Sequence, residues 1–482
     1  MDDNMDRQKV SLDEVFAPRG VAVIGVSNSR MAFAELVVLA MQRSGFPAIY
    51  PVNPKYDEIM GLTCYPSITD IPGPVDHVVV NIRAELALKL LDECTVKGVR
   101  SVHFFTAGFG ESGVKENAEL EQEMLKKARA SGFRIIGPNC TGMFVPGARL
   151  ANDFTVPLDP GPIAFLSQSG GHAQNLPSYS ANRGLRYSKV VSYGNALDVN
   201  ETELIDYFAQ DDETEIIAAY IEGVRDGVQF SAALEKAAAV KPVIIYKGGR
   251  TEAGMRAAKG HTASMTSSID VFDAVCRQRN AIRVDGIEEM IDVLVTLKFC
   301  KTIPEGNRVA LVGAGGGPSV LAGDEMEKEG LKMPPFSAAL QDQLKQVLPV
   351  AGSILSNPLD TPNMATPEAI TAGIGVLSGA PDIDIIVYHL GFHPISQWGI
   401  GFFKERTQVQ QIVDAMKAGL GSSGKALVIA LRVPQTLEGM EEYLNVQEVF
   451  AENGFPVFNS MGDLARAMRR VIEWNRVRNA TV

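Results

Sequence analysis

Tryptophan, cysteine and histidine are sparse in this 482-residue chain, at two, five and six copies. The cysteines (Cys64, Cys94, Cys140, Cys276 and Cys300) are odd in number and far apart, with no CxxC spacing and no His/Cys cluster. That excludes a disulfide framework and a structural zinc site. No run of about 18 uninterrupted apolar residues occurs, so no membrane span is expected. An excess of positive charge is missing too. Lys and Arg number 45 against 57 Asp and Glu, a formal net charge of −12. A dedicated nucleic-acid binder needs a basic face to displace counterions from phosphate, so no nucleic-acid partner is expected. Small anions stay possible, because a nest of backbone amides binds them on an acidic protein. The N-terminal MDDNMDRQKV does not have the basic-then-apolar layout of a signal peptide. The expectation is a reduced, soluble, cytoplasmic protein.

What is present is core and glycine. Hydrophobic residues make up 46% of the chain, too many for a disordered one. At roughly 100–200 residues per domain the length suits about three domains. In 1–150, short β-branched runs (VAVIGV at 21–26, HVVVNI at 77–82, SVHFF at 101–105, FRIIG at 133–137) alternate with helical stretches at 84–97 and 115–131. Such alternation implies a parallel sheet with right-handed crossovers. The turn-rich PGARLANDFTVPLDPG at 146–161 reads as a boundary. GPIAFLSQSGGHAQNL at 161–176 restarts the pattern. Strands are expected at 189–193, 215–221 and 242–246, and helices at 200–210, 228–239, 267–279 and about 286–300. NRVALVGAGGGPSVLAGD at 307–324 restarts it again, with strands at 383–390, 425–431 and 456–458 and a last helix over 462–478. The expected domains are 1–150, 151–303 and 304–482.

Three kinds of loop could carry chemistry. Gly25 ends the first strand, where a backbone without Cβ lets a ligand approach, yet VAVIGVSNSR is no GxGxxG. A plain strand-to-helix turn explains it nearly as well. At the second strand end, YPVNPKY, Asn53 and Lys55 stand where a ribose or its phosphate would sit. SQSGG at 167–171 and GAGGGPS at 313–319 each lie between an apolar strand and a helix, so each aims unsatisfied N–H groups outward. Two such starts could clamp one phosphoryl group, although helix-on-sheet packing accounts for the glycines about as well. Finally, KGGRTEAGMRAAKGHTASM at 247–265 carries Lys247, Arg250, Arg256 and Lys259 and ends at His261 among small residues. A loop imidazole of this kind suits a phosphoryl carrier, since neutral imidazole is nucleophilic near neutral pH. It needs a carboxylate on its other nitrogen. Glu222, at the end of EIIAAYIEG, is the candidate. His77, His103, His172, His389 and His393 read as structural.

At these residues the chain resembles the α subunit of the ADP-forming acyl-CoA synthetases (acetate–CoA ligases), of the succinyl-CoA synthetase superfamily. The resemblance rests on FAPRGVAVIGVS, YPVNPKYDEIMGLTCYPSITDIPGPVD, TAGFGESG and IIGPNCTG in the first 150 residues. Beyond them it rests on PIAFLSQSG, YGNALDVNETELIDYF, YIEGVRDG, KPVIIYKGGRTEAGMRAAKGHTAS, VALVGAGGGPSVLAGD and NPLD. It implies an α/β fold, with an N-terminal Rossmann-like CoA-binding domain followed by two flavodoxin-like parallel-sheet domains. It implies coenzyme A on Gly25, Ser27, Asn53, Lys55, Thr106, Ala107, Gly108, Pro138, Asn139 and Cys140. Phosphate would be held by Ser169, Gly170, Gly171, Gly315, Gly316 and Gly317. His261 would take the phosphoryl group from an acyl phosphate, with Glu222 beside it, as acyl-CoA, phosphate and ADP give a carboxylate, CoA and ATP. No ATP-grasp segment is evident, so ATP or ADP and Mg²⁺ are expected on a separate ATP-grasp β subunit of a hetero-oligomer, and no metal on this chain. The loops depart from the family in places: Ala263 and Met265 stand where Gly and Leu are usual, and Gly171 and His172 follow SQSG where small apolar residues are usual. Two other readings are a nucleotide-independent acyl or carbamoyl transferase and a non-catalytic acyl-CoA-sensing module.

Overall fold

The computed structural model describes residues 9–28, 32–256, 268–313, 316–349, 353–361, 366–391 and 404–481. They form two compact units, Met1–Ala181 with Arg186–Ile287, and Asn182–Leu185 with Glu288–Val482. The first unit holds two sheets. One is all parallel, in the order Ile49–Val52, Val21–Ile24, His77–Val80, Ser101–Phe104, Arg134–Ile136. The other runs Ile282–Val284, Val243–Lys247, Ile216–Ile221, Ile163–Ser167, Tyr187–Ser192, and is closed at its edge by the antiparallel Met143–Phe144. The second unit holds a third sheet, Ile354–Leu355, Leu359–Asp360, Val309–Val312, Ile385–Leu390, Ala426–Leu431, Val457–Phe458.

Setting the two antiparallel edge strands aside, each sheet reads 2-1-3-4-5 by chain order. This is the doubly wound arrangement in which a crevice opens between the first and third strands. The cause is visible in the strands. VAVI, HVVV, IAFLS, VALV and ALVIAL are buried along their whole length, as strands covered by helices on both faces must be. One apolar cluster, running from Leu12 through Val23, Ile136, Leu166 and Val191 to Cys276, joins the first two sheets. They therefore share a core within one unit.

The expected helices at 200–210, 228–239, 267–279 and 286–300 are found as Glu201–Gln210, Gly227–Val240, Ile269–Gln278 and Ile287–Phe299. The hairpin Glu58–Ile59 with Leu62–Thr63, and the strands Met143–Phe144, Ile354–Leu355 and Leu359–Asp360, have no counterpart in the sequence reading. Each is two residues long, too short to show an alternation. No described helix is long and apolar enough to cross a membrane.

Candidate functional site

The crevice of the first sheet lies beyond Val21–Ile24 and His77–Val80. Gly25 follows the first of these strands with φ +88°, and a Cβ there would collide with the Asn81 carbonyl oxygen. The two strand exits thus meet through backbone alone, which only glycine permits. The next exits are stitched on. Thr106 Oγ1 donates to the Ile82 carbonyl at 2.6 Å, and Asn139 N–H donates to the Thr106 carbonyl at 3.1 Å.

The second sheet brings the helix Gly170–Ser180 to the same place. Ser169 caps it, its Oγ accepting from His172 N–H at 3.3 Å. The amides of the first turn have no acceptor within the helix. Thr141 abuts this turn: its Oγ1 donates to the Gly170 carbonyl at 3.4 Å, and a Cβ on Gly170 would lie 2.8 Å from Thr141 Cγ2.

One cavity of ≈790 Å³ results, and Gly25, Thr106, Ala107, Asn139, Cys140, Ser169, Gly170 and Gly171 all line it. Eight residues expected on separate grounds, some for coenzyme A and some for phosphate, share one wall. The sequence reading missed Asn81, Ile82, Arg83, Leu86, Phe105 and Thr141, which line it too. Arg83 follows HVVVNI, the exit of the strand beside Gly25, and that adjacency was the available signal. Burial pushes the Cys140 thiol up to about 12, so it stays protonated and is no nucleophile at neutral pH. Behind it, His103 Nε2 bonds the Cys140 carbonyl at 2.9 Å.

Other expected residues stand elsewhere. Ser27 Oγ and N–H both donate to Glu35 Oε1, at 2.8 and 2.7 Å. Asn53 Nδ2 donates to the Val26 carbonyl at 2.7 Å and its Oδ1 accepts from Lys55 N–H at 3.0 Å. These residues shape the loop after the first strand and do not line the cavity. Lys55 is exposed. Gly108 N–H is taken by Glu111 Oε1, and Pro138 contributes its carbonyl to Asn195 N–H at 3.0 Å. His261 and Gly315 lie outside the described residues. The helix Gly316–Lys328, with Gly317 in its first turn, belongs to the second unit.

Glu222 is buried where Ile216–Ile221 ends. Gln168 Oε1 accepts from its N–H and, at 2.9 Å, from that of Gly223. Lys247 Nζ donates to the Glu222 and Gly248 carbonyls, both at 2.6 Å. Lys247 is thus an interior clamp and not the loop cation expected, and its burial lowers its pKa. Tyr220 Oη donates to Glu222 Oε1 at 3.1 Å. Among the described residues no group of three or more His, Cys, Asp or Glu side chains is gathered as a metal site.

A Rossmann-like sheet and a flavodoxin-like sheet meeting at one cavity define an α/β protein of two parallel-sheet layers with a shared site. Residues 19–146 match the CoA binding domain model and 160–297 the succinyl-CoA ligase like flavodoxin domain model. The chain is 32% identical to the acetate–CoA ligase [ADP-forming] II subunit alpha of Pyrococcus furiosus, over 96% of this chain and 97% of that one. It is 36% identical to acetate–CoA ligase [ADP-forming] I of Archaeoglobus fulgidus over 78% of its own length but only 54% of that longer protein. The dinucleotide forming acetyl-coenzyme A synthetase 1 of Ca. Korarchaeum cryptofilum, solved with phosphate and ADP, superposes with a TM-score of 0.81 at 29% identity, covering 97% of this chain and 98% of that one. The chain belongs to the family of ADP-forming acetate–CoA ligase α subunits.

Proposed function

We propose that this chain is the α subunit of an ADP-forming acid–CoA ligase. It would interconvert acyl-CoA, phosphate and ADP with a small carboxylic acid, CoA and ATP through an acyl phosphate and a phosphohistidine at His261. What supports the reading is the single cavity on which the turns at Gly25, Thr106 and Asn139 and the helix start at Ser169 and Gly170 open together. Thioester and phosphate would react within one space, sparing the entropy of bringing them together.

Coenzyme A fits the cavity on two counts. Gly25 and Gly170 carry no side chain into the cavity they line, and a main chain bare of Cβ can approach a pyrophosphate closely. Arg83 would meet its phosphates. Bound coenzyme A supplies the activated thioester carbonyl. Phosphate held by the first-turn amides of Gly170–Ser180 would attack that carbonyl, forming the C–O bond of the acyl phosphate as the C–S bond breaks and the CoA thiolate leaves. His261 would accept the phosphoryl group on one nitrogen while Glu222 orients the other and stabilises the cation that forms. An ATP-grasp β subunit carrying nucleotide and Mg²⁺ would collect the phosphoryl group, in a cytoplasmic hetero-oligomer.

The test is incubation of the full chain with acetyl-CoA and radiolabelled phosphate. The expected result is an acid-labile, base-stable label on His261, absent from His261→Asn and discharged into ATP when partner and ADP are added. Intact CoA binding without any label would leave the acyl-CoA-sensing reading in its place.

A further inference from the structure

Glu222 can orient an imidazole only if its own carboxylate is held still, and the residues around it do so in an ordered way. Its backbone is pinned on both sides, N–H by Gln168 and carbonyl by Lys247. Its side chain is reached by the hydroxyl of Tyr220, two residues back on the same strand. The two-residue period of a strand puts both side chains on one face. Burial, and after it the adjacent Glu222 charge, raise the pKa of the Tyr220 phenol. The hydroxyl therefore stays a donor at every working pH.

Tyr220 is itself seated. Its ring meets the His172 ring at 4.4 Å between centroids and 64° between planes, and the Tyr246 ring at 5.2 Å and 61°. Tyr246 is its register partner on the next parallel strand. His172 comes from the first turn of the helix whose start lines the cavity. The fourth side is left open by a missing side chain. A Cβ on Gly248 would lie 2.5 Å from Tyr220 Oη and 3.3 Å from Glu222 Cγ. Residue 248 must be glycine for the hydroxyl to reach the carboxylate.

We propose that Tyr220 is a positioning residue for phosphoryl transfer, holding Glu222 through its hydroxyl while His172 and Tyr246 fix its ring. This rests on the ligase reading above. The hydroxyl donates to Oε1 and restrains rotation of the carboxylate. His172 packs its ring against that of Tyr220. The helix start that would bind phosphate and the carboxylate that would orient the carrier are thereby tied together.

The experiment is a double-mutant cycle on single-turnover labelling of His261 from acetyl-CoA and radiolabelled phosphate, with full chains and with thermal midpoint and CoA affinity measured on each. Tyr220→Phe keeps the ring and removes the hydroxyl. It should slow labelling about tenfold, with CoA affinity unchanged, and should add nothing in a Glu222→Gln background. His172→Ala should slow labelling as well, and His172→Phe should recover most of that loss. Gly248→Ala, which blocks the hydroxyl from the other side, should reproduce Tyr220→Phe. Full-rate labelling of Tyr220→Phe, or an equal slowing in the Glu222→Gln background, overturns the proposal. Equal losses in His172→Phe and His172→Ala overturn the seating role of His172. Absence of label from the unmodified chain would strike the ligase reading itself, a distinct result.

Discussion

At Gly25 a single hydrogen in place of a side chain lets two strand exits touch. Its φ of +88° and the Asn81 carbonyl beside it both exclude a Cβ. Gly25→Ala must therefore move the Asn81 exit, one wall of the cavity. We expect a loss of about 1–3 kcal/mol in denaturant unfolding, and a drop of tenfold or more in CoA affinity by calorimetry. A smaller wild-type-like change in both would mean that the exits can separate freely. Residues of this kind were legible in the sequence because a glycine at a strand end reports on backbone geometry at that point. Thr141 was not, because nothing local marks a residue whose neighbour is another loop.

Elements meet through buried polar ties, and one of them joins the first sheet to the second. Arg134, on the last strand of the first sheet, is 1% exposed. Its Nε donates to Asp198 Oδ2 at 2.8 Å and its Nη2 to Glu203 Oε2 at 2.6 Å. Glu203 lies in the first turn of Glu201–Gln210, the helix that Asn200 caps. Asp198 also accepts from Ile135 N–H at 3.0 Å. Arg134→Met preserves the stem but leaves the buried Asp198 carboxylate with only the exposed Lys9 ammonium, 3.7 Å away, as its cation. Breaking a buried pair from one side costs about 3–5 kcal/mol. A drop of that size in unfolding free energy, partly restored by adding Asp198→Asn, is the expected outcome. The sequence showed a strand and a helix here with nearly their true bounds, since each is a local period. It gave no hint that Arg134 and Glu203, 69 residues apart, would meet.

The first unit as a whole carries a pH dependence in its core. His77 and His103 stack with ring centroids 6.3 Å apart and planes at 5°, both buried on adjacent parallel strands. Burial lowers His103 to about 4. Burial, and then the neighbouring His103, lower His77 to about 3. An unfolded histidine titrates near 6.5. Below that pH the unfolded chain takes up protons that the folded unit refuses, so stability is complete above about 6.5 and falls as pH drops toward 4. The His103 shift alone is worth roughly 3 kcal/mol across that window. Urea unfolding followed from pH 7.5 to 4.5 should show this decline in wild type. The decline should flatten in a variant with His77→Gln and His103→Phe, if that variant keeps its fold at pH 7.5.

Chain order alone determined that this is an α/β protein with parallel sheets, because strand period, helix period and glycine turns are properties of neighbouring residues. Similarity of motifs over nearly the whole length determined the family. Tertiary structure decided the rest: that each sheet runs 2-1-3-4-5, that the first two share a core, and that eight expected residues line one cavity. It also decided that Tyr220 lies between His172 and Tyr246 with its hydroxyl on Glu222. These depend on which surfaces bury against each other, and burial is a cooperative property of the packed chain that no local spacing encodes.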